Sequence, residues 1–441
     1  LYKTRWYVLM VFSLFTACQY LVWNTWGPIS DTAKHAYNWS DSDIALLANW
    51  GPIMICITVI FYSWLLDVKG IRVACIISCF CITLGSGCRC ISQTPPISTW
   101  MMHLGQLLNG CAGAVAMSAS PVISSTWFPP NERTTATAIG VLIPDVIGLA
   151  GSFLIGMFLA FIYHYHYIYT YSHWKLIRID SLFTDLQSIA EFGIVVCVFL
   201  LMLIYFPKKP PLPPCTSASV SRKNFIQGLK EIIRNRNILM VGIAYGSALG
   251  VSNVWAGVLN LILQPLGISQ TEAGWIGFYA SFGACAASLV IARIADNFSK
   301  HLKLIIVILF IIGAAFTLWF ALACSGFVPY STVIFYVTTI MSVLPLNAAI
   351  PLLYEIACEL AYPIGEGTAN GLMIMMNNIG GIIFLSVLMI PNIGTNWMNW
   401  TLLGSIIVCF PLFTVLKENY KRLNFDENEP GNSTTTSTLV H

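Results

Sequence analysis

Charge is what this sequence has least of. Only 9% of its 441 residues are Asp, Glu, Lys or Arg, against about a quarter in ordinary soluble domains, which excludes a surface solvated mainly by ionised side chains. The net charge is only +3, so the charge balance calls for no nucleic-acid partner. Of the fourteen cysteines, no two are spaced Cys-x-x-Cys, and most stand inside apolar windows. That excludes the usual zinc spacing and leaves them as small packing residues. No nucleophile–base pair or metal-ligand set falls within the apolar windows, so neither an enzyme nor a bound cofactor or metal is expected.

What the sequence has in quantity is apolar length, with 57% hydrophobic residues and a mean hydropathy of +0.74. A bilayer core about 30 Å thick takes roughly 20 apolar residues per helix, and lipid admits no open sheet or bare loop. The expected fold is therefore all-α and embedded in a lipid bilayer. Cutting at charge, Pro and Asn clusters predicts twelve spans, at about 6–29, 43–66, 71–92, 98–126, 133–162, 188–206, 236–264, 272–295, 303–326, 330–358, 367–391 and 396–416. The basic, Pro-rich stretch PKKPPLPPCTSASVSRKNFIQGLKEIIRNRN separates two sets of six. The expected units are a six-helix bundle over 1–206, a linker over 207–235, a second bundle over 236–418 and a tail over 419–441. Placing both termini and the linker on one side gathers 18 of the 22 Lys and Arg residues there, leaving Lys34, Arg89, Lys175 and Arg178 opposite. That excess marks the cytoplasmic face. The chain starts on Leu1, and Lys3 and Arg5 run straight into the first window, so a preceding segment with any sorting signal it carries is expected.

A six-plus-six layout suggests fused repeats, and two pairs of loops correspond. SWLLDVKGIRVA and ARIADNFSKHLK each place a small residue four before an Asp, another three after it, and a base close behind: Ser63, Asp67, Gly70 and Arg72 against Ala292, Asp296, Ser299 and Lys300. An acid followed by small residues opens helices 5 and 11, at Glu132 and Glu366, where a helix N-terminus favours negative charge. The string Trp-Gly-Pro-Ile occurs twice, at Trp26 and Trp50. Because the chain reverses between the first two helices, both copies stand at one height near the non-cytoplasmic face. Gly permits close approach and Pro bends each helix, so a gate is expected there above Trp23, with plain packing as the alternative.

With these loops the chain resembles the major facilitator superfamily, whose loop between helices 2 and 3 carries a related Gly, Asp and base pattern. The strings LVWNTWGPI, DIALLANWGPI, TWFPPNERTTATAI, PKKPPLPP, AGWIGF and YPIGEGTANG resemble solute carrier family 49. The resemblance implies a twelve-helix fold working by alternating access and a proton-linked exporter of the lysosomal membrane with pyridoxine, a form of vitamin B6, as cargo. Other members of that family are linked to choline and haem, so an organic-cation or haem-related facilitator at the plasma membrane is the alternative. A nutrient or viral-surface receptor without turnover is a third reading.

A midplane site for a small polar or cationic solute needs an aromatic face and a few polar groups. Trp23 is the first candidate, two-thirds along the expected helix 1; the resemblance aligns it with the aromatic residue that faces choline. An indole attracts a cation and stacks on a pyridine ring. Asn24, Asn109, Asn253 and Asn378 are amides within spans, read as substrate contacts or as interhelical hydrogen bonds. Asp145 lies some 12 residues into helix 5, roughly 18 Å from the cytoplasmic end. Such a carboxylate must find a partner or take up a proton, so proton coupling, cation binding and structural pairing stay open. Glu355 and Glu359 share a helical face and are expected to pair with loop bases such as Arg293 at a cytoplasmic gate. Asp67 and Asp296 are expected to latch that gate through helix dipoles and Arg partners. Arg89 is expected to snorkel to the interface. Three histidines within residues 163–174 read as an aromatic-rich interfacial loop. Asn38 and Asn399 are glycosylation sequons on the non-cytoplasmic side. Tyr420 to Leu423 fits a tyrosine-based signal for sorting adaptors.

Overall fold

The computed structural model describes the backbone at residues 2–26, 33–34, 37–92, 94–169, 173–220, 222–388, 390 and 393–428, and its side chains at these positions except 41, 42, 45, 152–169, 173–185, 219, 270 and 271. Among the described residues, twelve helices are long and apolar enough to cross a membrane. In chain order they are α1 (Thr4–Asn24), α2 (Asp41–Trp64), α3 (Ile71–Arg89), α4 (Ile97–Trp127), α5 (Arg133–Tyr169), α6 (His173–Ile204), α7 (Arg236–Gly257), α8 (Gln270–Asn297), α9 (Leu302–Cys324), α10 (Thr332–Ala348, continued by Ile350–Ala361), α11 (Glu366–Leu388) and α12 (Asn396–Val415). Helices satisfy their own backbone groups, which lipid demands. Proline decides the details. Pro351 sits in the first turn of the second piece of α10, where no donor is needed, so that span comes in two pieces. Helix α1 stops at Asn24 rather than running to 29. Trp23 is therefore in its last turn, not two-thirds along. The span expected at 236–264 also breaks, with α7 ending at Gly257 and a short helix Leu259–Leu263 following.

The halves are built alike. In the first, α1 packs on α5 and α4 on α3; in the second, α7 packs on α11. A Cβ on Gly380 would lie 2.1 Å from the Gly246 carbonyl oxygen, so α7 and α11 touch backbone to backbone only because both residues are glycine. The halves meet along α2 with α11 and α5 with α8. Ile57, Phe61, Phe80, Leu304, Ile308 and Ile311 are exposed, as suits faces turned to lipid. At the end bearing the linker and the C-terminal helix Lys421–Asn428, hereafter the basic end, α2 finishes in a π-helical turn, Leu65–Lys69. That turn carries Asp67.

Candidate functional site

Two carboxylates close the basic end in matching ways. Asp67, from the first half, accepts the backbone N–H groups of Gly367 and Thr368, each at 2.8 Å, and the Thr368 hydroxyl at 2.5 Å, all in the first turn of α11. Asp296, from the second half, accepts the N–H groups of Thr134 and Thr135 at 2.8 and 2.9 Å and the Thr135 hydroxyl at 2.6 Å, in the first turn of α5. Each helix N-terminus offers orphan donors and positive dipole, and each is capped by the opposite half. Space matters as well: a Cβ on Gly365 or Gly367 would fall 2.3 or 2.6 Å from Asp67, and one on Gly371 would meet Ser63 Oγ at 2.0 Å. The latch uses no arginine. Arg72 is exposed with no side-chain partner among the described residues, and Arg293 donates to the Asn131 carbonyl at 3.2 Å. Among the described residues, every hydrogen bond joining one bundle to the other lies at this end.

The other gate acids have partners that differ from the expectation. Glu355 and Glu359 do not meet Arg293; both hold Arg422 of the C-terminal helix, Glu359 at 3.0 Å. Burial opposes the charge of Arg422, but Glu355 and Glu359 outweigh it and hold its pKa well above the ordinary guanidinium value. Glu366 pairs with Arg222 of the linker at 2.6 Å. Glu132 pairs with Arg5 at 2.7 Å inside the first half, in a single 3-10 turn ahead of α5. Tyr420 and Leu423 are buried, and the Tyr420 hydroxyl accepts the Leu302 N–H. The sorting motif is therefore packed away in this conformation.

Between the halves, deeper in the bundle, lies a polar group whose members no sequence pattern links. The hydroxyls of Tyr245 and Tyr354 bond at 2.8 Å, and Tyr20 is within electrostatic reach of this pair and of Asp145. Asp145 also reaches Cys285 on α8, so it interacts with both halves. It is partly accessible. It makes no hydrogen bond or ion pair among the described residues. Tyr20 stacks on Trp23 at 6.3 Å, which extends the group towards the far end.

Trp23 is held by a consequence of the second Trp-Gly-Pro string. Pro52 has no N–H, so the Ala48 carbonyl four residues earlier loses its helix donor. The indole N–H of Trp23 donates to that oxygen at 3.1 Å. Gly51 leaves room for it, since a Cβ there would lie 3.0 Å from Trp23 Nε1. Trp50 donates to His103 Nδ1 at 3.1 Å, which requires an unprotonated Nδ1. In the first string, Trp26 is buried in a separate aromatic cluster with Tyr37 and Trp39; its Gly and Pro lie outside the described residues.

Arg89 overturns its expectation. It does not snorkel; it is 1% exposed and bonds Glu191 at 3.2 Å, Gln106 at 2.6 Å and the Val22 carbonyl at 3.1 Å. Glu191 also accepts from Thr25 and Gln187, while Gln106 donates to the Trp23 carbonyl. Helix α1 ends with carbonyls unsatisfied, and Arg89 and Gln106 supply donors to those of Val22 and Trp23. Trp26 lies under the guanidinium at 5.7 Å.

The amides separate into different roles. Asn24 donates to its own helix at Tyr20, and Asn378 to Ile374. Asn109 donates to the Gln19 carbonyl at 3.3 Å, leaving its own buried oxygen unpartnered among the described residues. Asn253 is exposed on α7 with no side-chain hydrogen bond among the described residues. Of the sequons, Asn38 is exposed. Asn399 is not a workable acceptor, being 1% exposed and accepting the Trp255 indole N–H at 2.8 Å. The histidine side chains of 163–174 lie outside the described residues.

The Major Facilitator Superfamily model matches residues 12–385 and 246–439. A solute carrier family 49 member 4 homolog of Xenopus tropicalis is 36% identical over 426 residues, covering 96% of this chain and 93% of that protein. The choline/ethanolamine transporter flvcr2a of Danio rerio is 25% identical, covering 98% of this chain and 90% of its own. Among solved structures, the proton:xylose symporter XylE matches with a TM-score of 0.71 at 12% identity, over 96% of this chain and 99% of that one. FucP in the outward conformation matches at 0.68 and 14%, over 95% and 100%. These two show the fold alone. The chain belongs to solute carrier family 49 of the major facilitator superfamily, a family of membrane transporters and not of enzymes.

Proposed function

We propose that this transporter exports pyridoxine, or a similar small organic solute, from the lysosome by alternating access coupled to protons. The observation that carries the reading is Asp145. A carboxylate at that depth, without a cation among the described residues, is costly when ionised and has reason to bind a proton in one state and release it in another. Beside it, the Tyr20–Trp23 stack offers a flat aromatic face, and Tyr245 and Tyr354, within reach of Tyr20, offer hydroxyls. Those groups suit a hydroxylated pyridine ring, stacked and hydrogen-bonded. The closed basic end leaves loading to the opposite, lumenal side and release to the cytoplasmic side once the latches open.

A second reading is favoured by the relatives named choline/ethanolamine transporters: an organic cation would sit over Trp23 with Asp145 as counter-charge. Uptake into vesicles reconstituted with the full chain separates the readings. Pyridoxine flux that follows an imposed pH gradient, loses that dependence in Asp145→Asn and weakens in Trp23→Ala supports the first. Flux indifferent to the gradient removes the coupling, choline flux alone moves the assignment to the second, and binding without flux makes the protein a receptor.

A further inference from the structure

The C-terminal helix Lys421–Asn428 is stitched to both halves. At its start Arg422 is 1% exposed, and its side chain bonds Glu355 and Glu359 of α10. The backbone N–H groups of Arg422 and Leu423 both donate to Glu359 Oε2, at 3.0 and 3.1 Å. One carboxylate thus caps the short helix and neutralises its arginine, fixing it to the second half. Near its other end Asp426 accepts from the Arg133 guanidinium at 3.2 Å, the Ser217 N–H at 2.7 Å and the Ser217 hydroxyl at 2.8 Å. Arg133 opens α5, in the first half, and is itself 1% exposed. It immediately precedes Thr134 and Thr135, which hold Asp296.

We propose that this helix is a moving part of the transport cycle, a clasp across the shut basic end that must release Arg133 before that end opens. Rocking of the bundles carries the start of α5 away from the ends of α10 and α11, and a helix eight residues long cannot stay attached to both. Arg422 has several buried bonds to the second half, whereas among the described residues the helix's hydrogen bonds to the first half run through Arg133 alone. The Asp426–Arg133 contact is therefore the one that breaks, and the helix travels with α10. Asp426 is more exposed than Arg422, so it can be changed without leaving Glu355 and Glu359 buried and unpaired.

The test uses the full chain in lipid nanodiscs, with spin labels at exposed Arg72 of the first half and exposed Phe298 of the second, both at the basic end. Distance distributions give the ratio of open to closed molecules. Asp426→Asn, and Asp426→Arg, which sets like charges against Arg133, are compared with Lys300→Ala; this last change breaks only the exposed Lys300–Glu427 pair within the second half. Loss of a buried charge-assisted contact corresponds to a rise in the open-to-closed ratio of about tenfold. A rise of threefold or more in both Asp426 variants, read on the folded molecules, with Lys300→Ala at the wild-type ratio, supports the clasp. A smaller rise in either, or an equal rise in Lys300→Ala, overturns it.

Discussion

Replacing Arg89 by Met tests whether the buried cluster at the end of α1 is a single electrostatic unit. The substitution removes a guanidinium that bonds Glu191, Gln106 and the Val22 carbonyl, and leaves a fully buried carboxylate with only Thr25 and Gln187 as donors. Breaking a buried pair from one side costs about 3–5 kcal/mol, a shift of roughly 150-fold to 5,000-fold in the folding equilibrium. Removing both charges together, in Arg89→Met with Glu191→Leu, leaves the Val22 carbonyl, the Gln106 side-chain oxygen and the Thr25 and Gln187 donors short of a partner, about 1–3 kcal/mol for each that stays unsatisfied, but no unpaired buried charge. The double variant is therefore expected to cost clearly less than the sum of the two single ones. Equilibrium unfolding in mixed micelles, followed by tryptophan fluorescence, measures all three. Single-variant costs under about 1 kcal/mol, or costs that simply add, would refute the reasoning.

The matching latch geometry predicts matching effects. Asp67→Asn and Asp296→Asn each lose the charge on hydrogen bonds of about 1.5–3 kcal/mol, so each raises the open-to-closed ratio at the basic end by roughly tenfold or more; a large effect at one and none at the other contradicts the equivalence. Pro52→Ala restores a donor to the Ala48 carbonyl in competition with the Trp23 indole, and one such bond is about 1 kcal/mol, so the cargo KM rises roughly fivefold with Vmax preserved. An unchanged KM separates Trp23 from the cargo site. At the start of α2, the Ser40 N–H and hydroxyl hold Asp43 below its ordinary 3.8. A carboxyl lowered in the folded state stabilises above the unfolded value and is lost as pH falls through the folded one. Amide protection at Asp43 and Ile44 is accordingly expected to match at pH 7 and pH 5 and to fall only below about pH 4; earlier loss refutes the cap.

The sequence carried the architecture because spanning length and the distribution of bases are local signals. Asp67, Asp296 and the acids opening helices 5 and 11 were legible from repeat correspondence. Their partners were not, because the capping N–H groups lie some 160 to 300 residues away in the chain. Arg89 was misread since a lone base near a span end ordinarily snorkels; its partner Glu191 sits in another span, and only packing brings them together. Arg422 falls inside the Tyr420 to Leu423 stretch that reads as a sorting signal, although Glu355 and Glu359, four apart, call for a cation. Tyr20, Tyr245 and Tyr354 were lost among eighteen tyrosines. The freed carbonyl at Ala48 was available in principle, because any helix-interior proline orphans the oxygen four residues earlier.

The crossed arrangement of the two latches bears on leakage. Each half supplies one carboxylate and one helix start, so the basic end is fastened at two separate places by opposite polarities. Tilting the bundles about one latch strains the other, and a conformation with a single latch released loses its charge-assisted bonds without yet offering a passage. Half-open states are therefore disfavoured relative to both end states. A carrier fastened this way passes solute in discrete events, and the gradient across its membrane is protected between them.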